Sequence, residues 1–229
     1  VPTLENLLTD YARELRDAEP GHEFTQFPRE TLLIWWNEAL CILHRMRPDL
    51  FTRSREVTLV PGNRQSVGED CTFKSVDANL GPQGQDETPI RMTSVTAMRQ
   101  WGGKPTCIPP PKEYRVTEFQ FDKMQRDIFY VAPPVPAGAT AKVRVTCVEP
   151  PPTLTVSDLG EEAPTDCWQN ALVNHYLLAQ AYAQDSDQMS LALAQHHQGL
   201  WGALFRGTLQ GDLALQAAQI PTPPEPRAR

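Results

Sequence analysis

The chain has 229 residues, 40% of them hydrophobic, enough to build a packed core without disulfide or metal staples. Its formal net charge of −7 excludes the basic surface that a general nucleic-acid binder needs to neutralise phosphates. A run of about 18 apolar residues that could span a membrane is missing, as is the basic-then-apolar order of a signal peptide. The five cysteines, unevenly spaced and without a Cys-x-x-Cys pair, predict reduced thiols in a protein assembled in the cytoplasm.

Residues Thr3–Ala18 place Leu4, Leu7, Leu8, Tyr11, Ala12 and Leu15 on one face, an amphipathic helix with Thr3 as cap and Pro20-Gly21 as stop. The most strongly patterned stretch follows, from Pro28 to Arg47. Leu32, Leu33, Trp36, Ala39, Leu40, Leu43 and Met46 recur at steps of three and four, a stripe too wide for a lone surface helix. Pro28 suits the first helical turn, and Pro48 drives Arg47 out of helix. Trp35 and Trp36 are neighbours, so they face different ways: one belongs to the core, and the other is either inside as well or an interface anchor.

Beyond Phe51 the period becomes two. Val57 and Leu59, the turn Pro61-Gly62-Asn63 and Gln65–Val67 read as a β-hairpin, and Cys71–Ala78 as a strand with Phe73 and Val76 inward. Gly81–Thr88 reads as a polar loop, Ile90–Met92 as a short strand, Ser94–Trp101 as a helical turn or two, and Gly102–Pro111 as a loop. Tyr114–Phe121, Ile128–Ala132 and Thr140–Val148 complete a small β domain of about six strands with one wet face.

Pro150-Pro151-Pro152 opens a linker to Ala163. Thr165 or Asp166 caps a helix to Gln184 whose apolar positions are Trp168, Leu172, Tyr176, Ala179 and Tyr182, with Leu178 at the border. After Asp185-Ser186-Asp187 a last helix, Gln188–Leu209, lines up Met189, Leu193, Ala194, His197, Leu200, Trp201, Leu204 and Phe205.

Four striped helices, joined pairwise by short loops, predict an α+β chain. It is a four-helix bundle, two helices N-terminal and two C-terminal, with an inserted small antiparallel β domain and an extended C-terminal arm. The divisions fall at 1–52, 53–162, 163–211 and 212–229. The expected bundle core is Leu8, Tyr11, Leu33, Trp36, Leu40, Leu43, Trp168, Leu172, Leu200, Trp201 and Leu204. Asp212–Ile220 can add a short helix, but the prolines from Pro221 to Pro226 can join neither helix nor central strand.

Chemistry is sparse. Cys41 and His44 on one helix, with His175, His196 and His197 on the others, lack the spacing of a zinc motif, and half-buried side chains are the ordinary outcome. No thiol has the surroundings of a nucleophile, and Gly81-Pro82-Gln83-Gly84 lacks the Lys and Ser/Thr of a phosphate loop. Catalytic residues, cofactors and metal ligands are therefore expected to be absent, and the chain is not expected to be an enzyme.

Three motifs carry a resemblance. Leu32-Leu33-Ile34-Trp35-Trp36-Asn37-Glu38-Ala39 with Met46-Arg47-Pro48-Asp49, then Thr58-Leu59-Val60-Pro61-Gly62-Asn63-Arg64-Gln65, and Ile128-Phe129-Tyr130-Val131-Ala132-Pro133-Pro134 together resemble the head-to-tail adaptor, or connector, family of tailed bacteriophages. The resemblance implies a structural virion protein assembled in the host cytoplasm. It implies a dodecameric ring of self-contacts between the portal protein and the tail tube or nozzle, with tail fibres nearby and genomic DNA passing through the lumen. The C-terminal segment, by the same resemblance, is a portal-binding arm: Leu213, Leu215, Ile220, Pro221, Pro223, Pro224, Pro226, Arg227 and Arg229. Exposed charges such as Arg13, Glu14, Arg16, Glu30 and Arg47 are candidates for the ring interface. The rival reading is a tail-associated binding module whose β domain recognises a host-surface carbohydrate or docks tail fibres. Outward aromatics, Tyr114 or Tyr130, would mark it.

Overall fold

A computed structural model describes residues 2–19, 23–81, 84–93, 114–122, 124–184 and 188–219; for 86, 87, 188 and 211–219 it describes the backbone alone. The chain divides into a helical unit, residues 1–42 with 152–229, and a β unit, residues 43–151. These seams lie ten or eleven residues ahead of the 52/53 and 162/163 that the sequence predicts.

In the helical unit, α1 spans Leu4–Glu14, with the Thr3 side chain accepting from the Asn6 N–H. Its first free N–H groups, those of Leu4 and Glu5, donate to the carbonyls of Glu161 and Leu159 in the returning linker. The helix stops short of the predicted Ala18 because Arg16 takes a left-handed φ of 59° and Asp17 turns inward. The buried Asp17 carboxylate accepts from the backbone N–H groups of Thr25, Gln26 and Phe27 and from the Thr25 hydroxyl, at 2.8 to 3.1 Å. Burial alone would raise that carboxyl, but these donors outweigh it and hold the group below the usual carboxylate range.

Helix α2, Arg29–Met46, follows the predicted bounds, and its stripe is inside as far as Leu43: Leu32, Leu33, Trp36, Ala39, Leu40 and Leu43 are buried, as is Trp35, whereas Met46, in the last turn, is exposed. Trp36 meets Tyr11 of α1 with ring centroids 5.7 Å apart, and Trp35 meets Phe27 at 5.8 Å, so both tryptophans are core. After the linker, α3 runs Cys167–Ala183 from an Asp166 cap that exchanges hydrogen bonds with Gln169, and α4 runs Gln188–Gln219. The predicted stop at Leu209 is overrun because no Pro lies between Gln188 and Pro221.

The β part corrects the expected small antiparallel domain. Among the described residues it is two four-stranded sheets, one of them mixed, and cannot be described as a minor insert in a helical bundle. The strands are β1 Thr52–Thr58, β2 Gly62–Ser66, β3 Thr72–Leu80, β4 Asp86–Pro89, β5 Arg91–Met92, β6 Glu118–Phe121, β7 Ile128–Val135 and β8 Lys142–Val148. One sheet has the order β1-β8-β3-β4 and the other β2-β7-β6-β5, with β5 and β6 parallel. The expected β1–β2 hairpin is absent: β1 pairs with β8 and β2 with β7. The Pro61-Gly62 turn is a corner at which the chain changes sheets, so that Leu59 and Val67 both enter the core between them. In that core Phe73 of β3 stacks on Phe129 of β7 at 4.7 Å and meets Phe119 of β6 edge-on. β4 escaped sequence reading because its polar run is an edge strand, paired only with β3. Cys71 and Cys147 form a disulfide in this core, against the expectation of reduced thiols; the pairing of β3 with β8 brings together cysteines 76 residues apart. The predicted turn at Ser94–Trp101 and the loop Gly102–Pro111 lie outside the described residues.

Candidate interaction surfaces

The motif residues act inward. Asn37 faces the linker with its side-chain amide: Nδ2 donates to the Leu154 carbonyl and Oδ1 accepts from the Leu154 N–H, both at 2.9 Å. Gln65 makes the same reciprocal pair with Val60 at 2.8 Å, closing the Pro61-Gly62 corner, and Asn79 makes it with Val116. Each amide does what a neighbouring strand would, satisfying one N–H and one C=O of an otherwise unpaired segment. Arg47 forks onto Asp49, Nη2 to Oδ2 at 2.7 Å, within its own turn. Its side chain is buried, which corrects its placement among the exposed interface charges.

The exterior of α1 and α2 is charged. Arg13 pairs with Asp10, Arg29 forks onto Glu5 while lying 3.9 Å over the Phe24 ring, and Glu14, Arg16 and Glu30 are exposed. Buried Tyr11 is pushed upward in pKa by its burial, with Glu14 and Asp10 adding to the effect.

The α3–α4 hairpin is different. α3 has no charged residue, and α4 has only Arg206 and Asp212 besides histidines. The face α3 buries is Gln169, Leu172, Val173, Leu177, Leu178 and Ala181, turned about one position from the predicted stripe. Trp168, Tyr176, Ala179 and Tyr182 are consequently only half-buried. Along α4 the predicted stripe stays largely open: Ala194 and Phe205 are buried, His197, Leu200 and Trp201 are half-buried, and Met189, Leu193 and Leu204 are exposed. Leu204 thus lies outside the core assigned to it. Leu8, Tyr11, Leu33, Trp36, Leu40, Leu43 and Leu172 are buried. A groove of about 490 Å³ lies in this unit between α3 and α4, lined by Ile42, Tyr176, Ala179, Leu191, Trp201 and several glutamines. The sequence pattern does not mark it, because Leu191 lies off the predicted stripe and glutamines carry no apolar signal.

The hairpin also joins two histidines. His175 Nδ1 lies 3.1 Å from His197 Nδ1, so one ring donates to the other, and Tyr182 stacks on His197. Burial lowers both pKa values; neighbouring imidazoles add to this, while Glu14 opposes it at His175. Among the described residues, the one trio of potential metal-ligand atoms within 4.8 Å is Cys71, Cys147 and Glu149, and its sulfurs are bonded to each other. Of the expected arm, Leu213 and Leu215 belong to the backbone of α4, and Ile220, Pro221, Pro223, Pro224, Pro226, Arg227 and Arg229 lie outside the described residues. No described helix is long and apolar enough to cross a membrane.

A search of curated proteins gave no match. The sequence profile of one family, described as SU10 adaptor protein, matches residues 2–223, nearly the whole chain. A match of that extent makes the protein a structural component of the phage particle that works by contact with other head and tail proteins. The chain belongs to the SU10 adaptor protein family.

Proposed function

We propose that copies of this protein close into a ring, dodecameric as in the connectors it resembles, that joins the portal protein to the tail tube or nozzle. The ring leaves a channel for the genome. The family match over residues 2–223 is the observation that carries this reading. A closed ring needs two different patches on each subunit, and the α3–α4 hairpin, almost uncharged beside the charged α1–α2 exterior, offers surface on which such patches can meet. The segment from Pro221 to Arg229 fastens each copy to the portal, with proline-stiffened backbone losing little entropy on docking and Arg227 and Arg229 pairing with carboxylates. The net negative charge suits a lumen past which DNA slides without sticking.

The rival, a carbohydrate-reading β module, gains no support from its aromatics. Tyr114 packs on the β core and donates to the Pro133 carbonyl, its pKa pushed up to about 12 by burial, and Tyr130 is half-buried. The test is electron microscopy of the particle neck together with portal binding by protein lacking Pro221–Arg229. A closed ring and weaker attachment of the truncated chain are expected. Truncated protein that holds the portal as tightly as the intact chain removes the arm from the mechanism.

A further inference from the structure

The structure gives α4 exposed apolar side chains and a length that its hairpin partner does not match. Its apolar positions Met189, Leu191, Leu193, Leu204 and Leu209 are 72, 53, 37, 39 and 38% exposed. It also outruns its partner. Tyr176 meets Trp201, and α3 has nine residues ahead of Tyr176, Cys167–His175, so an antiparallel α3 can accompany α4 for nine residues past Trp201, to about Gln210. α4 continues to Gln219. A last stretch of helix of about 14 Å thus extends beyond the end of α3.

Gly199, Gly202 and Gly207 point to what covers it. Each lies within α4 with nothing inside 4 Å of where a Cβ would be, and each costs a helix about 1 kcal/mol relative to Ala while serving no packing need within the chain. Such positions let a second backbone come close. The groove beside α3 is lined by apolar and amide side chains with no charge, and from Gly199 to Gln219 α4 itself carries only Arg206 and Asp212. These two surfaces match each other, whereas a charged partner would leave charges desolvated and unpaired in the groove.

We propose that the C-terminal half of α4, Leu204–Gln219, of one copy lies in the α3–α4 groove of the next, helix in groove. The contact is heterologous, one patch against a different one, and so can repeat around a closed ring; it rests on the ring proposed above. Leu191 and Trp201 receive the helix, and Leu209 is among the residues it inserts.

The experiment places a benzophenone amino acid at position Leu191 of the full chain, mixes isotopically light and heavy protein, irradiates, and maps the joined peptides by mass spectrometry. Joins between light and heavy chains that fall in Leu204–Gln219 are expected. Leu191→Lys and Leu209→Glu should each lower the yield of assembled rings by about tenfold or more, and the double variant should recover most of it. Both sites are exposed, so the variants keep the fold. Rings in electron micrographs whose Leu191 label joins another segment, or that survive both single changes, overturn this contact and leave the ring intact. Particles with no ring at all overturn both.

Discussion

Two helices with equally apolar sequences have opposite fates. Every apolar position of the α2 stripe up to Leu43 is buried, whereas among the described side chains of α4 only Ala194 and Phe205 are. α2 is covered by α1 and by the linker that Asn37 clamps, while α4 packs on α3 and leaves most of its described side chains exposed. A stripe in a sequence shows that burial is wanted. It does not say whether the cover comes from the same chain.

The largest test of this contrast is Trp36→Ala. Trp36 is fully buried, and its loss should cost about 3–5 kcal/mol in urea unfolding, while Leu204→Ala should cost about 1 kcal/mol or less. Equal losses would mean that α4 is covered within the chain after all. Next in size is Asp17→Ala. Removing the acceptor for three backbone N–H groups and a hydroxyl should cost about 2–3 kcal/mol and free the loop ahead of α2, read as faster amide exchange at Thr25, Gln26 and Phe27.

The smallest effect is a pH dependence of the α3–α4 hairpin. His175 and His197 have lowered folded-state pKa values, so the unfolded chain takes up protons first as pH falls. Their contribution is fully present above about pH 6.5 and is lost as pH falls through the folded values. Thermal melts across that window should slope downward toward acid, and His197→Gln should flatten the slope. A wild-type slope that rises toward acid would contradict the shared-proton geometry.

Elements bounded by strong local chemistry were legible in the sequence. α2 lies between Pro28 and Pro48, and α3 begins at the Asp166 cap, because caps and prolines act within a turn of where they stand. Pairings decided over long distances were not. The Pro61-Gly62 turn reads as a hairpin until the preference of β1 for β8 is known, and β4 shows no alternation because it sits at an edge. Asn37, Gln65 and Asn79 look like surface amides until their partners, 117, 5 and 37 residues away, are in place. The uncharged exterior of α3 and α4 was plain in the letters, yet assigning every stripe to one bundle hid it.

The seam of the β unit carries a last consequence. β1 opens the unit and β8 nearly closes it, and they are antiparallel neighbours from Thr52↔Val148 to Thr58↔Lys142, with the Glu149 N–H bonded to the Phe51 carbonyl. The polypeptide therefore goes in and comes out side by side, as through a two-pin plug. A unit wired this way can be lengthened or shortened in its strands and loops while the spacing of its two chain ends stays fixed.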